Sequence, residues 1–441
     1  MNIGVFHGRT YYLRNVDAAL ETLTDRGHEL VLALSDKKAK HLRVPSGLRE
    51  RVSAVTYPYR RDDGLDPAIR LVRSLRDAAR YETPALRETH ANRERAYRKL
   101  RQVLEHERLP YAPEPPAEPY DPDDLAAFDA TLAAVDGLIP PSEPLVAFIR
   151  GLELDAALVV SRVNFGGNEA GVVRAAQAAG VPVGVAVYSW DNLSSKGLLH
   201  ELPDRLFVWN DVQAREAVEL HGADPATVVA TGAPRFDELF ALSPSAPREE
   251  LLGPLGLNPA RKTVLWLGSS GFVSKREPQV IERWLARIPA DVNVIVRPHP
   301  GAADEPAWAS WRPRPGVAAP PPRRRAQDLF DVLYASDAVV ALNTSAELEA
   351  GIVGRPVLTL AAGEDAPGQG GSLHFRYLLA EEGGFVEHAE TLDEHFGQLQ
   401  RALAEDPLAE QRAAFVESFL RPAGPAAEAL ASAVEDLASS G

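Results

Sequence analysis

Cysteine is absent from all 441 residues. That excludes disulfides, thiolate metal sites and cysteine nucleophiles. Also missing is any uninterrupted apolar stretch of about 18 residues, so no transmembrane helix is expected. No basic leader or cleavage pattern precedes the first strand-like run, Ile3–Phe6, and a cytoplasmic location is therefore expected. A basic excess is lacking as well. The formal net charge is −15, where a general nucleic-acid binder needs a positive field, so no nucleic-acid partner is expected. No histidine cluster has metal-ligand spacing, and neither a metal nor another cofactor is expected. What remains is 45% apolar and 25% charged residues, an ordinary mix for a globular protein. The length favours two domains.

Strand-like and helical runs alternate along the chain. Ile3–Phe6, Glu29–Leu34, Arg51–Tyr57, Ala156–Val160, Val181–Val187, Arg205–Trp209 and Val228–Thr231 read as strands of a first α/β unit. A second unit starts at Thr263–Leu267 and continues through Val292–Val296, Ala338–Leu342 and Val357–Leu360. Such alternation predicts parallel sheets covered on both faces. The expected division is 1–240, a connection over 241–259, a second domain over 260–407, and helices over 408–441. Those last helices are expected to cross back to the first domain. Residues 67–109 read as a helical insertion. Within it, Arg70–Arg108 carries eleven Lys/Arg against six Asp/Glu. That region suits peripheral contact with an anionic membrane face or an anionic acceptor, although interspersed acids also fit a solvated helical face.

Polar clusters recur at strand ends, the edge of an α/β sheet where ligands bind. Gly268-Ser269-Ser270-Gly271 follows the first strand of the second unit, and glycines there let a phosphate approach backbone N–H groups. Arg297-Pro298-His299-Pro300-Gly301 follows another strand, with prolines fixing the turn around an imidazole. Asn343-Thr344-Ser345 opens a helix, where the hydroxyls of Thr344 and Ser345 can donate to phosphate. Glu349 lies one helical turn beyond Ser345 and shares its face; Glu347 is the competing choice. His374 follows the glycine-rich stretch 368–372. In the first half, His7 ends the first strand, and its ordinary pKa near 6.5 suits a general base. Asp17 or Asp191 can orient it. Tyr188–Gly197 combines aromatics, a carboxylate, an amide, hydroxyls and a lysine, as a sugar site does. There Asp191 is the alternative base, and Trp190, Asn192, Ser194 and Lys196 are candidate acceptor contacts. Arg162 and Asn164 end a neighbouring strand. In Gly232–Asp237, Arg235 suits either a phosphate contact or an internal pairing with Asp237.

The tandem of a His-Pro turn and a Ser/Thr turn resembles the nucleotide-binding half of GT-B glycosyltransferases. Within that superfamily it is similar to bacterial sialyltransferases, capsule Kdo transferases and CDP-glycerol polymerases. Gly232-Ala233-Pro234-Arg235-Phe236-Asp237 resembles the Gly-x-Pro-Arg-x-Asp turn of the last group. The resemblance implies two Rossmann-like domains with parallel sheets facing a central cleft. It puts a nucleotide-activated sugar on the C-terminal domain, with Glu349 on the ribose hydroxyls and His299, Ser345 and the Gly268–Gly271 turn on the leaving phosphate. A glycan, lipid-linked or small hydroxyl acceptor would occupy the N-terminal domain beside His7 or Asp191. The implied activity is metal-independent glycosyl transfer in the synthesis of surface polysaccharide, glycolipid or glycoconjugate. Three alternatives stay open: a nucleotide-sugar 2-epimerase, a CDP-glycerol-type glycerophosphotransferase, and a non-catalytic nucleotide-sugar-binding scaffold.

Overall fold

A computed structural model describes residues 1–8, 10–36, 44–58, 60–161, 163–167, 169–301, 306–320, 325–369 and 373–440. The chain divides into two compact units, Met1–Asp237 with Phe419–Gly441, and Glu238–Ser418. Each is built on one wholly parallel sheet, as the strand–helix alternation predicts.

The first sheet contains β1 (Asn2–His7), β2 (Glu29–Ser35), β3 (Val52–Tyr57), β4 (Ala156–Ser161), β5 (Val183–Val187), β6 (Arg205–Val208) and β7 (Val228–Ala230) in the order β3-β2-β1-β4-β5-β6-β7. Side chains alternate across it with period 2. On β4, Ala157 and Val159 face the helices Glu143–Arg150 and Ala170–Ala179. Ala156, Leu158 and Val160 face the opposite layer with Leu20 and Leu23 of the helix Asp17–Asp25. The helix Ala426–Ser439 completes that layer through Leu430, Val434 and Leu437. Gly184 admits it closely, since a Cβ there would lie 3.0 Å from Leu437 and 2.4 Å from Phe207.

Gly232–Asp237 docks this C-terminal segment. Gly232 (φ +87°) lies against Leu420 and Ala426, and the Ala233 N–H donates to the Leu420 carbonyl (2.8 Å). Asp237 accepts from the N–H groups of Ala426 (3.2 Å) and Ala427 (2.7 Å), capping the last helix. Among the described residues no Arg235–Asp237 pairing of the kind considered from the sequence is seen. Asp237 instead serves the helix start and Arg421, while the Arg235 guanidinium lies over the Phe236 ring.

The second sheet contains β8 (Thr263–Leu267), β9 (Asn293–Arg297), β10 (Val317–Ala318), β11 (Ala338–Ala341), β12 (Val357–Leu360) and β13 (Val386–Ala389), ordered β10-β9-β8-β11-β12-β13. The edge strands β10 and β13 escape the sequence reading. One has two residues, and the other carries Glu387 and His388 at its centre, so neither shows an apolar run. Residues 241–259 lie on this unit: Ser245 donates to Asp331 (2.6 Å) and Arg248 pairs with Asp337 (2.8 Å).

Candidate functional site

Strand order reverses between β8 and β11 in the second unit and between β1 and β4 in the first. Those are the switch points where loops diverge and leave a crevice.

In the second unit the turn after β8 lies directly on the turn after β9. The Gly268 N–H donates to the Arg297 carbonyl (2.8 Å), and a Cβ on Gly268 would sit 2.7 Å from the His299 nitrogen. No other residue fits there without moving backbone. His299 Nδ1 accepts from the Gly301 N–H (3.0 Å). In the neutral ring the proton is thereby assigned to Nε2, which becomes the donor. Arg297 is 8% exposed. Burial lowers its pKa, while the charges of Asp328 and Glu349 hold the cation in place. This electrostatic pairing brings the turn after β9 together with the helix Ala346–Ile352.

At the end of β11, Asn343 has φ +58°, a left-handed conformation that asparagine tolerates. Its amide donates to the Gln369 carbonyl (3.1 Å), and Gly368 donates to Val273 in the loop after β8. The stretches 268–274, 297–301, 343–349 and 365–369 thus form one polar edge. Ser345 and Glu349 are half-buried there, whereas Glu347 is fully buried. Glu347 accepts from the Thr344 N–H (3.3 Å), and burial pushes its carboxyl up to about 8. The Thr344 hydroxyl accepts from the Ala346 N–H (3.5 Å).

The glycine turn differs from a simple strand–turn–helix. The next helix starts only at Glu277, and Glu277 accepts the Ser269 N–H (2.9 Å) and the Trp266 indole N–H (3.1 Å). Burial raises the Glu277 carboxyl to about 7. Ser269 is therefore buried and its N–H engaged, and Ser270 and Gly271 form the accessible part of the turn. His374 lies in a single helical turn, Leu373–Arg376; residues 370–372 lie outside the described residues.

In the first unit a cavity of about 550 Å³ opens at the β1/β4 switch point. His7 lies on its wall, 1% exposed, as do Asn164 and Lys196. Arg162 lies outside the described residues. Val163, just beyond β4, adopts φ +49°, a strained conformation for a β-branched side chain. The neighbouring loop holds it, the Gly197 N–H donating to its carbonyl (3.2 Å). Asp191 is engaged by the Lys196 ammonium (2.6 Å), the Ser195 hydroxyl (3.1 Å) and the Asn192 amide (3.0 Å). Trp190, Asn192 and Ser194 are buried and are not on the cavity wall; Trp190 packs edge-on against Phe419.

Residues not singled out from the sequence assemble this cavity. Asp77 of the helix Asp66–Ala79 accepts from the Gly166 N–H (2.6 Å), the Leu198 N–H (2.7 Å) and His200 Nε2 (3.0 Å). Arg80 donates to the carbonyls of Leu193, Lys196 and Gly197. Arg73 pairs with Asp136 and donates to Gly167. The signal was Arg73, Asp77 and Arg80 at helical spacing, a polar stripe along one face. Several arginines of the basic region thus turn inward. Arg73 and Arg80 are buried and Arg76 pairs with Asp129, so the solvated-face reading fails for this helix.

No protein-family model matches the chain. A stretch of 174 residues is 31% identical to a D-inositol 3-phosphate glycosyltransferase of Mycobacterium marinum, covering 36% of this chain and 35% of that protein. The match thus spans about a third of that relative's length. Among solved structures, the UDP-GlcNAc 2-epimerase of Methanocaldococcus jannaschii is similar over 99% of this chain and 100% of its own, with a TM-score of 0.55 at 9% identity. The lipopolysaccharide outer core galactosyltransferase WaaB is similar over 99% of both chains, with a TM-score of 0.52 at 10% identity. The chain has the GT-B fold of two Rossmann-like domains. Among the described residues no helix is long and apolar enough to cross a membrane.

Proposed function

We propose that the protein is a glycosyltransferase that moves a sugar from a nucleotide-activated donor, held on the second unit, to a hydroxyl acceptor held on the first. The observation that carries this reading is the convergence of Gly268, Arg297, His299 and Glu349 at one switch-point edge. The glycosyltransferase relative supports the class. In the proposed reaction Glu349 holds the ribose hydroxyls. Ser345, the Thr344–Ser345 turn and the accessible Ser270–Gly271 turn hold phosphate. A base in the first unit removes the acceptor hydroxyl proton as that oxygen bonds to the anomeric carbon. The bond from that carbon to the donor phosphate breaks, and its electron pair goes to the phosphate oxygen. Arg297 supplies positive charge and His299 Nε2–H a hydrogen bond to that oxygen. These groups make the proposed reaction independent of a divalent cation. His7 is the better-placed base because it lies on the cavity wall, whereas Asp191 is held by Lys196.

The test is acceptor-dependent release of nucleotide, followed with and without EDTA. The expected result is release that needs acceptor, survives EDTA and falls about 100-fold in His299→Ala. Conversion of the donor to its 2-epimer with no acceptor present would overturn the reading.

A further inference from the structure

The cavity of the first unit has a polarity that the transferase reading alone does not require. Its wall carries seven Lys/Arg residues against two acids, Asp66 and Glu169. The carboxylates that pair with these cations, such as Asp63, Glu107 and Asp136, are not on the wall. Positive ends of ion pairs therefore face the cavity. Arg61 gives Nε and Nη2 to Asp63, and Arg70 gives Nε and Nη2 to Glu107. Among the described residues no acceptor meets Nη1 of either. Among the described residues Lys99 meets only the neutral Gln102 amide oxygen (3.0 Å). Lys99 is exposed and the Arg70 side chain is 41% exposed, whereas the Arg61 side chain is 10% exposed and also donates to the Pro140 carbonyl (2.9 Å).

The floor is different. Ser35, at the end of β2, is 4% exposed, lines the cavity, and its hydroxyl has no hydrogen-bond partner among the described residues. A buried hydroxyl without a partner is costly and marks a place where a ligand hydroxyl fits. His7 lies on the neighbouring strand, with Leu34 its register partner.

We infer that this cavity takes a small polyol or sugar bearing a phosphate. Its hydroxyls sit on the floor at Ser35 and His7, and its oxyanion at the rim on Arg61, Arg70 and Lys99. Guanidinium and ammonium groups suit phosphate, and the volume suits a small molecule. As an acceptor assignment this rests on the proposed transferase function. The same oxyanion chemistry belongs to the diphosphate of a donor, so the experiment separates the two sources.

Calorimetric titration of the full chain without donor, at low salt, uses glucose 6-phosphate and glycerol 3-phosphate. Glucose, glycerol and inorganic phosphate serve as controls. The expected result is that one phosphorylated probe binds about tenfold or more tighter than its neutral counterpart and than inorganic phosphate. That affinity falls about tenfold in Lys99→Gln and further in Lys99→Gln/Arg70→Gln, and is unchanged in Glu349→Ala. Lys99 is exposed, so its substitution leaves folding intact, which a thermal melt verifies. Equal binding of phosphorylated and neutral probes would overturn the inference. So would binding no better than inorganic phosphate, or a loss confined to Glu349→Ala, which moves the oxyanion to the second unit. Because no donor is present, failure of the donor site leaves this titration readable.

Discussion

Two buried carboxylates flank the switch-point edge of the second unit, and both titrate far from their usual range. Glu347 is pushed to about 8 and Glu277 to about 7, in each case mainly by burial. Both accept backbone N–H groups of the turns they underpin, so their placement is structural while their charge is costly. A carboxyl with a raised folded pKa binds its proton more tightly when folded. Its contribution to stability is present at low pH and is lost as pH rises from the unfolded value of 4.5 toward the folded one. Glu347→Gln keeps an acceptor for Thr344 without the ionisation. Urea denaturation at pH 5.5 and 8.5 should show the variant gaining about 2–4 kcal/mol on the parent at the higher pH. An unchanged difference would mean that Glu347 is not desolvated. At the same scale, Glu349 separates from Glu347 by accessibility: one is half-buried beside Arg297, the other is sealed beneath the turn. Helical spacing selects Glu349 from the sequence, but no spacing rule shows that Glu347 caps the turn.

The helix Asp66–Ala79 organises the first cavity, and Asp77 is its centre. Its carboxylate joins the loop after β4, the loop after the helix Asn192–Ser195, and His200. Gly197 is needed at this junction, because a Cβ there would lie 2.7 Å from the Asn164 carbonyl and 2.8 Å from Asp77. Asp77→Ala leaves the buried Leu198 N–H and the half-buried Gly166 N–H without acceptors and should cost about 3–5 kcal/mol in chemical denaturation. Limited proteolysis should then cut within 163–167 or 193–200, where the parent resists. The repeated strand–helix pattern made the central strands of both sheets legible, since those show the buried apolar run that a parallel sheet demands, whereas the edge strands β10 and β13 do not. The second-unit edge was legible too, because glycine, proline and histidine mark sharp turns at strand ends. The first cavity was legible only in part: His7, Asn164 and Lys196 do lie on its wall, but its other walls were not foreseen. Its walls come from segments far apart in the chain, and a basic helix has the same composition whether its arginines meet water or buried carbonyls. Likewise Trp190 read as a sugar platform, yet its burial depends on Phe419, more than two hundred residues later.

As a whole the molecule closes its first unit with its own C-terminal segment. Leu430, Val434 and Leu437 bury their side chains on the first sheet's helical layer, each contributing roughly 1.5–3 kcal/mol. Truncation after Ser418 should therefore lower the first unit's unfolding transition while leaving that of the second nearly unchanged, as resolved by calorimetry. A single shifted transition for both would contradict this division of the chain. The central claim is that the second unit's edge binds a nucleotide diphosphate through Glu349 and His299. The most direct measurement is titration with UDP, CDP, GDP, dTDP, ADP and CMP, paralleled by thermal shift, which reports ligand binding to the native state. The account predicts saturable binding of one nucleotide, weakened about tenfold or more by Glu349→Ala and by His299→Ala, with Lys99→Gln unaffected. No binding of any of them to well-folded protein, or binding indifferent to both substitutions, would contradict it.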